Sequence, residues 1–127
     1  LPHAVLEPRE RARRAEQATA DWLTLQGFRI LATNLRLGAL ELDIVAKRGG
    51  LVVIVEVRSR GEGAFESAFE SVSIAKRRHL LKASERLWRS RLLSDASVER
   101  VRIDVASVTF VSGETRVEVA QGAIVAG

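Results

Sequence analysis

The chain contains no cysteine. That excludes a disulfide framework and any thiolate metal site. Histidine is nearly absent too. His3 lies at the N-terminus and His79 in a strongly basic segment, so nucleophilic catalysis built on a histidine base lacks its parts. No Walker loop and no Gly-x-Gly-x-x-Gly fingerprint occurs, which leaves a nucleotide cofactor without a cradle. No apolar run is long enough to span a bilayer. The N-terminus, Leu-Pro-His-Ala-Val-Leu-Glu-Pro, lacks the basic-then-apolar layout of a secretory signal. A cytoplasmic location and no membrane partner are therefore expected. Lysine is also scarce, occurring only at Lys47, Lys76 and Lys82, so the basic character rests on arginine.

What is present fits a globular chain. Its 127 residues are 46% hydrophobic, enough for one domain with its own core. Residues 1–9, with Pro2 and Pro8, read as a lead-in, 10–120 as the domain, and 121–127 as a tail without pattern. From Glu10 to Gln26, Ala12, Ala15, Thr19, Trp22 and Leu23 recur at helical spacing, and Gly27 follows as a cap. Glu16 projects at the edge of this stripe, within reach of Arg13. Phe28 to Thr33 reads as a strand and 34–38 as a turn. A polar loop is expected from Ser59 to Glu66, and a second helix from Ser67 or Ser73 to Leu92, with Ser73 a candidate N-cap. Ile74, Leu81, Ser84, Leu87 and Trp88 form its expected apolar side, with Leu80 at the margin. Val101 to Val111 alternates as a strand, and Thr115 to Ala120 follows as a last one. The order is α-β-β-β-α-β-β, an α/β sandwich with helices packed on a mixed sheet.

Residues 40–60 hold the most information. Two β-rich runs flank Gly49-Gly50, which predicts a hairpin with a two-residue turn. Alternation places Leu42, Ile44 and Ala46 on one apolar face with Val53, Val55 and Val57. The other face is charged far from the turn. Counting outward from the turn, Asp43 falls opposite Glu56 and Glu41 opposite Arg58. Two acids directly opposed on a mostly buried hairpin repel each other. A divalent cation with a preference for oxygen ligands, Mg²⁺ or Mn²⁺, would relieve that repulsion. It could also serve phosphodiester chemistry, with Arg58 on the same face as a positive charge and Glu16 and Glu41 extending the acidic cluster. The pattern alone equally allows plain salt bridges at the wet end of a sheet, Glu41 with Arg58 for example.

The second helix bears on partners. From Lys76 to Arg91 there are seven basic residues and one acid, Glu85. Arg78, Lys82, Arg86 and Arg89 line one side, with His79 beside them. This is either a solvated face or a phosphate-contacting stripe, to which Lys76 and Arg60 would add. Trp88 and the apolar side of this helix leave a homodimer open, although core burial explains them more simply.

At these residues a family resemblance emerges. Residues 14–23, Arg-Ala-Glu-Gln-Ala-Thr-Ala-Asp-Trp-Leu, resemble the first helix of the YraN family, within the restriction-endonuclease-like, PD-(D/E)XK, superfamily. Residues 26–36 resemble its first strand and turn. Glu-Leu-Asp-Ile-Val-Ala at 41–46 and Val-Ile-Val-Glu-Val-Arg-Ser-Arg at 53–60 resemble its core motif. Phe69-Glu70-Ser71-Val72 with Lys76, and Arg102-Ile103-Asp104-Val105, fit its second helix and fourth strand. The resemblance implies a restriction-endonuclease-like three-layer sandwich. It implies a nuclease acting on nucleic acid, DNA rather than RNA, with Mg²⁺ or Mn²⁺ held by Asp43, Glu56, the Val57 carbonyl, Glu16 and, by extension, Glu41. Arg58 stands where the superfamily usually has lysine. Because guanidinium cannot give up its proton, a catalytically silent nucleic-acid-binding module is the rival reading.

Overall fold

A computed structural model describes residues 6–60 and 72–125. Helix α1 (Pro8–Leu25) starts with proline in its first turn, where a missing N–H costs nothing. It ends as expected at Gly27, whose φ of +90° lets Phe28 N–H reach back to the Leu23 carbonyl at 2.9 Å. Ala15, Thr19 and Leu23 are its buried stripe, while Ala12 is exposed.

Three strands follow, β1 (Arg29–Leu37), β2 (Leu40–Arg48) and β3 (Leu51–Arg60). The segment 34–38, expected to be a turn, is mostly strand. β1 runs through Asn34 to Leu37, and the turn is the pair Gly38-Ala39. Asn34 tolerates this because it takes a left-handed conformation, φ +49°, open to asparagine more than to most residues. β2 and β3 pair in the predicted register, from Arg48↔Leu51 out to Ile44↔Val55, around Gly49-Gly50. β3 extends to Arg60, so the polar loop begins later than Ser59; the rest of it, and the Ser67 alternative for the helix start, lie outside the described residues.

Helix α2 (Ile74–Leu87) begins at Ser73, whose Oγ accepts the Lys76 N–H at 3.1 Å. It runs into a π-helical turn over Trp88–Leu92. Strand β4 (Arg100–Val111) then pairs parallel to β3, so the chain crosses over from β3 to β4 by way of α2. Strand β5 (Glu114–Ile124) pairs antiparallel to β4 and runs past Ala120 into the segment read as a tail. The sheet order is β1-β2-β3-β4-β5, and α1 and α2 cover opposite faces, giving the three-layer sandwich in the expected element order. Among the described residues no helix is long and apolar enough to cross a membrane.

Two cores result. On the α1 side Leu23 and Phe28 pack on Ile44, Ala46, Leu51, Val53, Val55 and Ala106. On the α2 side Leu80, Ala83 and Leu87 pack on Val45, Val52, Ile54, Ile103 and Val105. Two expectations shift. Leu42 packs on the α2 side with Leu37, not with Ile44 and Ala46. The left-handed turn of the backbone at Asn34, opposite Asp43, coincides with this change of facing. In α2 Leu80 is central and Ile74 is 70% exposed, because the buried stripe is Leu80-Ala83-Leu87 rather than one starting at Ile74.

One buried charge is fully matched. Asp104 accepts from Arg102 Nε at 2.8 Å and Nη2 at 3.0 Å, and from the Gly122 N–H at 2.9 Å. It sits where the β4–β5 register shifts between Ile103 and Val105. Its carboxylate stands in for a missing ladder carbonyl there.

Candidate metal centre

The β2–β3 ladder stops at Ile44↔Val55, and the next position outward holds Asp43 and Glu56. Asp43 ends the ladder in its own way. Its Oδ2 accepts the Val57 N–H at 2.9 Å, in place of a backbone carbonyl. The N–H and C=O of a strand residue point to the same side. The Val57 carbonyl is therefore directed to the Asp43 side of β3, where the backbone of β2 no longer pairs.

Glu56 projects to the α2 side, in line with Val52 and Ile54, and is only 3% exposed. Its carboxyl and that of Asp43 act on each other, the Asp43 charge disfavouring ionisation of Glu56. Burial, then the charge of Asp43, pushes Glu56 up to about 7, against the opposing pull of Lys76 and Arg58. Burial also raises Asp43, offset chiefly by the Val57 N–H. Glu56 Oε1 has Lys76 Nζ at 3.7 Å and Arg58 Nη1 at 3.8 Å, too far for hydrogen bonds. Glu56 Oε2 is buried with no hydrogen-bond partner among the described residues. A buried carboxylate oxygen in that condition is costly.

Glu16 is not taken up by Arg13, which pairs with Glu10 at 2.7 Å. It accepts instead from Asn34 Nδ2 at 3.2 Å. Burial raises its carboxyl, Asn34 lowers it, and Asp43 and Glu41 raise it further. Glu41 lies on the rim, 3.9 Å from Arg36 on β1. Four acids thus share one field, but among the described residues no three of them converge closely enough to hold a metal ion in this arrangement. The group that fits a cation is the pair Asp43 and Glu56, with its unpartnered oxygen and the neighbouring Val57 carbonyl.

The basic residues divide. Arg78, Lys82, Arg86 and Arg89 are exposed on α2 and the turn after it. Lys82, Arg86 and Arg89 line a hollow of about 500 Å³ with Glu85 and Ser90. Arg89 pairs with Glu85 at 2.7 Å, and Arg86 donates to the Leu37 carbonyl at 2.8 Å, clamping the β1–β2 turn. Lys76 leaves this face and joins the acids. The Arg60 side chain lies outside the described residues.

Asn34 and the true position of Lys76 are what sequence reading missed. The signal for Lys76 was its place one turn before Leu80 on the buried stripe. For Asn34 it was an asparagine interrupting a strand pattern. Replacing Asn34 with alanine is expected to cost about 1 kcal/mol through the left-handed backbone alone and to raise the Glu16 carboxyl, by loss of the amide donor. Thermal unfolding and carboxyl NMR titration measure the two effects separately.

The region that carries these residues is shared with known proteins. A model of the family described as "Uncharacterised protein family UPF0102" matches residues 15–108. The chain belongs to this family, also called YraN. A UPF0102 protein of Sorangium cellulosum is 46% identical over 111 residues, covering 87% of this chain and 77% of its own length. One of Anaeromyxobacter dehalogenans is 41% identical over 107 residues, covering 84% and 77%. One of Symbiobacterium thermophilum is 39% identical over 93 residues, covering 73% and 76%. The match spans α1 through most of β4, and so takes in Glu16, Asn34, Glu41, Asp43, Glu56, Arg58 and Lys76.

Proposed function

We propose that this protein is a metal-dependent, nuclease-like enzyme that hydrolyses phosphodiester bonds in DNA, with a restriction-endonuclease-like fold and a cytoplasmic location. The observation that carries the reading is the pair of half-buried Asp43 and buried Glu56, with the unpartnered Glu56 Oε2. Asp104 is the internal contrast. Both aspartates take a backbone N–H where a ladder breaks, but Asp104 is neutralised by a bidentate arginine and the Asp43–Glu56 pair is not. A purely structural role predicts the first arrangement. The second has two cations, but both address Oε1 from 3.7 and 3.8 Å and leave Oε2 without a hydrogen bond among the described residues, which suits a site that takes up a cation.

Asp43, Glu56 and the Val57 carbonyl would hold Mg²⁺ or Mn²⁺, which polarises a phosphate and lowers the pKa of an attacking water. Glu16, oriented by Asn34, and Glu41 deepen the negative field that draws the cation in. Arg58, on the same face as Glu56 and 35% exposed, offers positive charge to a phosphate beside the pair. Arg78, Lys82 and Arg89 would contact the backbone of the nucleic acid, with Arg86 partly committed to Leu37. Binding of this kind is salt-sensitive and weakly sequence-specific.

The test is cleavage of branched and single-stranded DNA in Mg²⁺. Wild-type protein should cleave, and Glu56→Gln should lower the rate by about a hundredfold or more, the scale of losing a group that organises transition-state charge. Retained, salt-sensitive DNA binding without cleavage would instead favour the silent binding module. Arg58 supports that second reading, since its guanidinium cannot exchange a proton. Loss of nucleic-acid retention even at low salt would end both.

A further inference from the structure

Lys76 sits apart from the other cations of its helix. It lies on the stripe Lys76-Leu80-Ala83-Leu87, spaced four, three and four residues, which faces the sheet. Its first-turn location is set by Ser73, and it is a cation at the helix end where the macrodipole favours anions. Helix stability therefore gives no reason for a lysine there. Its Nζ lies 3.7 Å from Glu56 Oε1, and Arg58 Nη1 is 3.8 Å from the same oxygen. Two cations thus address one oxygen while Oε2 has no partner among the described residues. Neither contact is a hydrogen bond, so Lys76 is held by charge rather than by geometry. Its side chain is 37% exposed, and its four-carbon stem can swing where a planar guanidinium fork is more constrained.

Resting on the metal-site reading above, we propose that Lys76 belongs to the acidic site, where its ammonium is the counter-charge that leaves Glu56 when a divalent cation arrives and turns to the substrate phosphate. The ammonium and the metal then compete for the same carboxylates. The metal takes Asp43 and Glu56, and the displaced ammonium lies beside the place where a phosphate would be drawn in. No bond is made or broken by Lys76 in this exchange. Its part is to keep the empty pair from standing unbalanced and to add positive charge at the phosphate once the pair is filled. Arg58 stays with Glu56 in the same strand and is less free to follow.

The experiment is calorimetric titration of Mg²⁺ at pH 8.5, which keeps the carboxylates ionised, into wild type, Lys76→Ala, Lys76→Arg and Lys82→Ala. Removing the competing charge should tighten Mg²⁺ binding by about fivefold or more in Lys76→Ala. Lys76→Arg keeps the charge and should stay near wild type, as should Lys82→Ala on the exposed face. Lys76→Gln replaces Lys76→Ala where the latter does not fold. Equal or weaker Mg²⁺ binding in Lys76→Ala overturns the proposal, as does failure of wild type and Lys76→Ala alike to bind Mg²⁺. In the cleavage assay Lys76→Ala should lose at least about tenfold in kcat despite tighter metal binding, while Lys82→Ala changes KM alone. Wild type that binds Mg²⁺ but cleaves nothing ends the hydrolase reading, and the calorimetric arm then decides for Lys76 by itself.

Discussion

Glu56→Gln is expected to make the metal-free protein more stable than wild type at pH 8, by on the order of 3 kcal/mol. An ordinary glutamate ionises near 4.5, whereas burial and the Asp43 charge raise Glu56 to about 7. Between those values the unfolded chain gives up a proton that the folded chain keeps. Stability therefore falls as pH rises through the window and levels off above it. Each pH unit across the window costs about 1.4 kcal/mol. Asp43, also raised, acts in the same direction, and the two titrate as a pair. Glutamine is neutral throughout and nearly isosteric, so the variant lacks this fall. Urea midpoints from pH 5 to 8 in the presence of a chelator measure it. A wild-type curve that stays flat or climbs across the window would count against a buried, raised Glu56. Mg²⁺ at pH 8 should restore the lost stability to wild type and not to Glu56→Gln, since only the carboxylates of the wild type gain by binding it.

The second large effect concerns folding alone. Asp104→Ala is expected to destabilise the protein by about 3 kcal/mol, the low end for breaking a buried ion pair. Asp104 is 2% exposed, and its loss strands both the Arg102 guanidinium and the Gly122 N–H. Arg102 is 24% exposed and recovers some hydration, which keeps the figure from being larger. The end of β5 should loosen first, because Gly122 is where it is held and Ile124, two residues on, is buried in the α2-side core. Arg102→Met keeps the aliphatic packing but leaves Asp104 with only the Gly122 N–H, so it should also destabilise. Denaturant unfolding, with amide exchange at Ala123 and Ile124, reads both variants. Unchanged midpoints would show that the pair contributes little.

Much of the site was legible because strands have a strict period. With Gly49-Gly50 as a two-residue turn, counting alone brings Asp43 opposite Glu56, and the observed register follows that count as far as Ile44↔Val55, the last pair before the two acids. Ser73 and Gly27 were legible for similar reasons, since each satisfies orphaned backbone groups that any helix end presents. The failures came where one residue changed the period. Asn34 stays within its strand with a left-handed backbone, and Leu42 faces the α2-side core, which breaks the alternation with Ile44 and Ala46. The phase of α2 is hard to read because Ile74 resembles core yet is exposed, and Lys76, expected among the nucleic-acid contacts, lies on the stripe of Leu80, Ala83 and Leu87 beside Glu56. The end of β5 had no apolar alternation to announce it. It is held by the Asp104 carboxylate, at a distance of 18 residues that no local pattern conveys.

The parallel pairing of β3 with β4 has a consequence for how the chain acquires this site. β1–β2, β2–β3 and β4–β5 are neighbours in sequence, joined by short turns, whereas Leu51 must find Arg100 across the whole intervening crossover. That closure carries the largest loop entropy of the sheet and belongs among its slower steps. Glu56 pairs with Val105 in that step, and α2, which brings Lys76, lies inside the loop being closed. Until then the acids can remain hydrated at the open edge of a hairpin. The electrostatic cost of burying them thus falls in the same step that assembles the α2-side core, whose apolar burial offsets it.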